Sequence, residues 1–190
     1  MKKIFLLCMI SMLAVLTGCT NYAEEYDKNT LVIKGNGSIV EIAVEDFSES
    51  SVTDMDLTAY IEKQITEYNN SQDKDVVEND TLITEDMSKV KLVLKYKDID
   101  AYNGFNLLEC TLADFTEVDE EDLKGTFTSA EGKSVKAGKL ENTAKATVLI
   151  MSEKTDVVVN GDILYYNKEV SVKDVVATTT GKGDAIIIFK

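Results

Sequence analysis

The sequence predicts an α+β fold: a mostly antiparallel sheet with one long amphipathic helix, in a single domain running from about residue 31 to residue 190. Three observations carry that reading. Runs of β-branched residues separated by turn residues fill the C-terminal third, and one stretch over residues 53–69 repeats its apolar positions at helical spacing. Strands and helices nowhere alternate as a doubly wound parallel sheet requires. The main alternative is a division into two subdomains near residues 118–135.

The first element is the segment "LVIKGNGSIVEIAVEDF", where Gly35-Asn36-Gly37 lies between two apolar runs and predicts a hairpin. In its second strand Val40, Ile42 and Val44 share one face and Glu41 and Glu45 the other, which predicts one core face and one solvent face. The period then changes. Leu57, Tyr60, Ile61, Ile65 and Tyr68 recur at three- and four-residue intervals, so a helix from Thr53 to Asn69 is expected, with its aromatic residues on the buried stripe. Thr53 and Asp56 form a capping-box-like start, and Asn69-Asn70 a stop.

A polar loop with one short strand follows in "SQDKDVVENDTLITED", and "SKVKLVLKYKD" alternates cleanly: Val90, Leu92, Leu94 and Tyr96 against Lys89, Lys91, Lys95 and Lys97. Matching alternation predicts that this strand lies beside Ile39–Glu45, with its lysines neutralised by Glu41 and Glu45. "DIDAYNGFN" reads as one short helical turn leading into a strand over Leu107–Leu112. Neither this segment nor the acidic "EVDEEDLKG" over 117–125 fits a calcium loop, because the glycine at the sixth position is missing from both. In "TDVVVNGDILYYN" the Asn160-Gly161 pair predicts a two-residue hairpin with Val158 opposite Ile163. The segment "TTTGKGDA" precedes a terminal strand rather than a helix, so it is not a phosphate loop.

Composition narrows the function. The 190-residue chain carries 20 basic and 34 acidic residues and contains no histidine, proline or tryptophan. Every basic residue is lysine. Without arginine, and with strong negative charge, a nucleic-acid partner is excluded in expectation. Catalytic triads that use histidine are excluded outright, and no metal site or cofactor is expected. Cys110, in the strand-like "NLLECTLADF", reads as a buried inert thiol.

The N-terminus has three parts. Lys2 and Lys3 are followed by an almost unbroken apolar stretch of thirteen residues, Ile4–Leu16, and then by small residues. Thirteen is short of the roughly 20 needed to span a bilayer, so an export signal is the better reading. Leu16-Thr17-Gly18-Cys19 resembles the lipobox of bacterial lipoproteins. That resemblance implies removal of residues 1–18 as a signal peptide and lipidation of Cys19. The mature chain would then hold 18 lysines against 34 acids, a formal charge of −16, and residues 19–30, "CTNYAEEYDKNT", would be a lipid-anchored tether ahead of the 31–190 domain. Less specifically, "VEDFSESSVTDMDL", "YKDIDAYNGFN", "VNGDILYYN" and "AIIIFK" are similar to segments of uncharacterised surface lipoproteins from Gram-positive anaerobes.

The expected function is therefore a membrane-anchored extracytoplasmic lipoprotein with a non-catalytic binding, scaffolding or envelope role. Its expected partner is the cell membrane, through covalent lipid on Cys19. The alternatives are a solute-capturing lipoprotein of a transport system and a carboxylate-dependent hydrolase, since paired acids act as general acid and base without histidine.

Overall fold

Strand-forming segments outnumber helical ones throughout the computed structural model, which describes residues 21–190. Cys19 and the signal-like stretch before it lie outside the described residues. In chain order the elements are α1 (Tyr22–Glu25), β1 (Thr30–Ile33), β2 (Ile39–Glu45), α2 (Asp54–Ser71), β3 (Val77–Ile83), β4 (Val90–Tyr96), α3 (Ile99–Asn106), β5 (Thr111–Asp114), β6 (Thr126–Ser129), β7 (Ser134–Lys136), β8 (Thr147–Met151), β9 (Asp156–Val159), β10 (Ile163–Asn167), β11 (Val170–Lys173), β12 (Val176–Thr179) and β13 (Ala185–Phe189). The content is mixed α and β, with strands predominant and three helices.

There are two sheets where one was expected. The first has seven strands in the order β11-β12-β9-β1-β2-β4-β3, and the second six in the order β5-β8-β13-β10-β6-β7. All neighbours are antiparallel except β1 and β9. One buried cluster joins the sheets, combining Leu31, Ile39 and Val157 of the first with Leu149, Ile187 and Phe189 of the second, and Tyr102 of α3. A second cluster covers the opposite face of the six-stranded sheet, where Leu123 and Phe127 pack with Val148, Ile186 and Ile188. Within residues 118–135 Leu123, amid the acids, is only 6% exposed and belongs to this second cluster.

The β1–β2 hairpin forms as the glycine pattern predicts. Lys34 donates its amide to the Ser38 carbonyl at 2.9 Å, and Gly37 adopts φ +81°. Strand β4 lies beside β2 as expected, but the faces fall differently. Glu41 is opposite Leu94, and Val44 opposite Lys91; cross-strand partners share a face, so the glutamates lie with the leucines and the lysines with the valines. Both faces of this sheet are covered.

What covers the lysine face is the segment expected to be a spacer. Residues 21–29 are not a free tether: Ala23 is 2% exposed and packs with Val40, Ile42 and Val93. Lys91 holds it there, its Nζ donating to the carbonyls of Ala23 (2.6 Å) and Tyr26 (3.0 Å) and to Asp27 Oδ1 (2.7 Å). The lysine row is neutralised by aspartates, two of them from other segments and the third its chain neighbour Asp98. Lys89 and Lys91 pair with Asp27, Lys95 with Asp80, and Lys97 with Asp98.

Helix α2 starts on the expected capping box, with Thr53 accepting from the Asp56 amide and Asp56 accepting from that of Thr53. Its inner stripe is narrow. Ile61 and Asn69 are buried, and Asn69 bonds the backbone of Val76 and Val77, tying the helix end to β3. Tyr60, expected on the buried stripe, is 61% exposed. At 100° per residue it stands next to Ile61 on the rim of that stripe, outside the contact. Leu107, expected to begin a strand, instead ends α3 in the left-handed conformation (φ +57°) and is 91% exposed.

The Asn160-Gly161 hairpin does not form. Strand β9 is hydrogen-bonded on one edge to β1 and on the other to β12, so neither edge is free for β10. The chain crosses there to the other sheet, where β10 pairs with β13 and β6. Gly161 has φ +137°, and Asn160 is not among the residues with positive φ, so the turn is not type I′.

Candidate functional site

The crossing at residues 160–162 joins the ends of the two sheets, and its Asn160 lines a cleft of about 510 Å³ at that end. Asn160 donates its amide to the Ile33 carbonyl at 3.0 Å, while Asp162 and Lys190 exchange backbone hydrogen bonds of 2.9 and 3.0 Å. Thus β1 of one sheet and the chain just after β13 of the other are tied within three residues. A Cβ on Gly35 would stand 2.5 Å from Asn160 Nδ2, so glycine lets the β1–β2 turn lie against the crossing.

The walls come from elements distant in sequence. Asp98, at the N-cap of α3, accepts from the Ala101 amide at 2.9 Å. Asp114 ends β5, and Lys34, Lys145 and Lys190 line the cleft with Glu117, while Ile33, Ile99, Leu112 and Phe189 give it an apolar lining. Asp98 makes a 3.8 Å ion pair with Lys97 outside the cleft lining; among the described residues the other five charges have no opposite charge within 4 Å. A cleft with charges of both signs and an apolar lining suits a small ligand bearing both an ammonium and an anionic group. A second hollow, of about 480 Å³, shares Ile33, Lys34, Gly35 and Asn160 with the first and reaches Tyr22 of α1. Lys34 lies over the Tyr22 ring, 5.3 Å from its centroid.

A separate polar cluster sits between the seven-stranded sheet and α3. Tyr96 donates its hydroxyl to Glu41 Oε2 at 2.5 Å, and Asn106 Nδ2 donates to both Tyr96 Oη (3.1 Å) and Glu41 Oε2 (3.3 Å). Burial pushes the Glu41 carboxyl above its ordinary range, and the two hydrogen bonds offset part of that. The Tyr96 hydroxyl is pushed up by burial and by the neighbouring Glu41. Tyr96 stacks edge-on against Tyr102, 5.2 Å between centroids. Glu41 is not among the residues that line the cleft.

Cys110 is buried, and its thiol donates to Glu153 Oε2 at 3.3 Å. Burial, with Glu153 beside it, pushes the thiol up to about 12, which suppresses the thiolate a nucleophile needs. Among the described residues, no group of three His, Cys, Asp or Glu is placed to hold a metal ion, and no helix is long and apolar enough to cross a membrane. Sequence reading missed the cleft, because its lysines and acids come from five separate segments; it also placed Glu41 in solvent. Only the Gly35-Asn36-Gly37 and Asn160-Gly161 turns, both read as hairpins, pointed to it, through Gly35, Gly37 and Asn160 in its lining. No protein-family profile, curated protein or solved structure matches this chain.

Proposed function

We propose that this chain is a lipid-anchored extracytoplasmic protein, held to the cell membrane by covalent lipid on Cys19 and acting in binding, scaffolding or envelope maintenance rather than in catalysis. The observation that carries the reading is the order Lys2-Lys3, thirteen-residue apolar run, Leu16-Thr17-Gly18-Cys19. The folded part is one domain whose single long helix is α2. Each buried methylene of an acyl chain contributes about 0.8 kcal/mol, and two chains hold a protein stably where one does not. Labelling with a radioactive fatty acid tests the reading: label should enter the parent chain and not Cys19→Ala, and the variant should leave the membrane fraction. A Cys19→Ala chain that stays membrane-bound and is processed normally rejects it.

A second reading, capture of a small solute for a transporter, draws on the cleft with its uncompensated lysines and carboxylates. Free amino acids and dipeptides are the probes. A rise in melting temperature with one of them, lost in Asp114→Asn or Lys145→Met, supports capture; no rise with any of the panel counts against it.

A further inference from the structure

The reading of Cys19 as the lipid anchor has a geometric consequence, because the described fold begins almost at once after it. Ala23 is buried against the β2–β4 face, and α1 starts at Tyr22, three residues after Cys19. Three residues span at most about 11 Å, whatever their conformation, at roughly 3.3–3.6 Å each. A domain of this size has a radius of gyration near 15 Å and a breadth of roughly 40 Å. The leash is much shorter than the body it holds.

The end of the body nearest the leash is also defined. The segment from Tyr22 to Asp27 crosses the sheet face from the β1–β2 turn, where Tyr22 meets Lys34, to the other end of the strands, where Asp27 meets Lys89 and Lys91. The first described residues therefore stand at the turn end, beside the hollow that Tyr22 shares with Gly35 and Asn160. That end carries charges of both signs, Lys34, Lys145 and Lys190 together with Asp98, Asp114 and Glu117. The opposite end carries Asp27 with its ion-pair partners Lys89 and Lys91, and Glu45 with the 84–89 loop that holds Glu85 and Asp86.

We infer that the domain rests on the bilayer by its β1–β2 turn end, with the mouth of the cleft toward the phospholipid headgroups, rather than standing clear on a spacer. The partner of this surface is the phosphate-bearing headgroup layer. The short leash and its attachment at Tyr22 set this orientation, and Lys34, Lys145 and Lys190 are the groups of that end that can meet the phosphates.

The inference rests on the lipidation of Cys19, and its test separates the two. Full-length lipidated protein in phospholipid vesicles carries a fluorophore on a single introduced cysteine, Glu117→Cys at the cleft or Glu85→Cys at the opposite end; the buried, hydrogen-bonded Cys110 does not compete for label. Headgroup-spin-labelled lipid should quench the Glu117 probe at least several-fold more than the Glu85 probe. Equal quenching, or stronger quenching at Glu85, in protein that carries the fatty-acid label overturns the orientation and leaves the anchor standing. Absence of the fatty-acid label from Cys19 overturns both. Omitting the spin-labelled lipid controls for differences in probe brightness.

Discussion

The carbonyl oxygen of Lys190 lies where a Cβ on residue 161 would be, 2.4 Å from that ideal position, so the crossing between the sheets has room only for glycine. Gly161 also has φ +137°, which side chains disfavour. Gly37 has φ +81° with nothing within 4 Å of its ideal Cβ, so it carries the backbone requirement without the clash. Strained backbone costs about 1–3 kcal/mol per site. Gly37→Ala should fall in or below that range and Gly161→Ala above it, because the latter must also separate Asp162 from Lys190. Urea denaturation of residues 21–190 measures both; equal losses would show that the Lys190 contact yields without cost.

What could be read in the sequence was local. The Gly35-Asn36-Gly37 turn, the Thr53–Asp56 box and the pairing of β2 with β4 follow from residues close together or from matching alternation. The Asn160-Gly161 hairpin failed for a non-local reason: β1 and β12 occupy both edges of β9, and a dipeptide carries no information about which edges are taken. The face of Glu41 was misread because alternation assigns a charged residue to solvent, whereas Tyr96 and Asn106 supply it with hydrogen bonds inside. The segment over 21–29 has no apolar period, and a single alanine under a lysine clamp is too weak a pattern to recognise.

That clamp gives the second prediction. Lys91→Met keeps the apolar stem but removes the donor shared by the Ala23 and Tyr26 carbonyls and Asp27. Leaving a buried acceptor unsatisfied costs about 1–3 kcal/mol. The loss should appear first as local release of α1: amide hydrogen exchange at residues 22–26 should accelerate well before the β2 and β4 amides change. Unchanged protection of 22–26 would mean that Ala23 packing alone holds the segment.

Acid should release the same segment. Hydrogen bonds and charge from Lys89 and Lys91 hold the Asp27 carboxyl down to about 2, below its ordinary 3.8. A carboxyl whose folded value is depressed stabilises the folded form above its unfolded value and loses that contribution as pH falls through the folded one. Docking of α1 should therefore be intact above about pH 4 and weaken progressively toward pH 2. Asp27→Asn removes this dependence, so exchange at 22–26, once corrected for the intrinsic effect of pH, should be flat over pH 2–4 in the variant and rise toward acid in the parent. Parallel profiles would assign the acid response to other carboxyls.

Glu41 titrates in the opposite sense. Burial raises its folded value above the unfolded 4.5, against the pull of Tyr96 and Asn106. Between the two values the folded chain binds more proton than the unfolded one, so this group's contribution is fully present below about pH 4.5 and is lost as pH rises through the folded value. Glu41→Gln keeps an oxygen that accepts from Tyr96 and carries no charge to desolvate. Relative to the parent, the variant should gain stability steadily from pH 4.5 upward and hold a constant lead once the parent carboxyl has ionised. Comparing the two chains at each pH cancels the opposing contributions of Asp27 and Asp56, whose folded values are lowered. Denaturation midpoints in urea at half-unit steps from pH 4 to 8 give the curve. A gap that stays constant over the whole range would mean that Glu41 ionises as freely inside the fold as outside it, and that the Tyr96 and Asn106 hydrogen bonds fully replace water around the carboxylate.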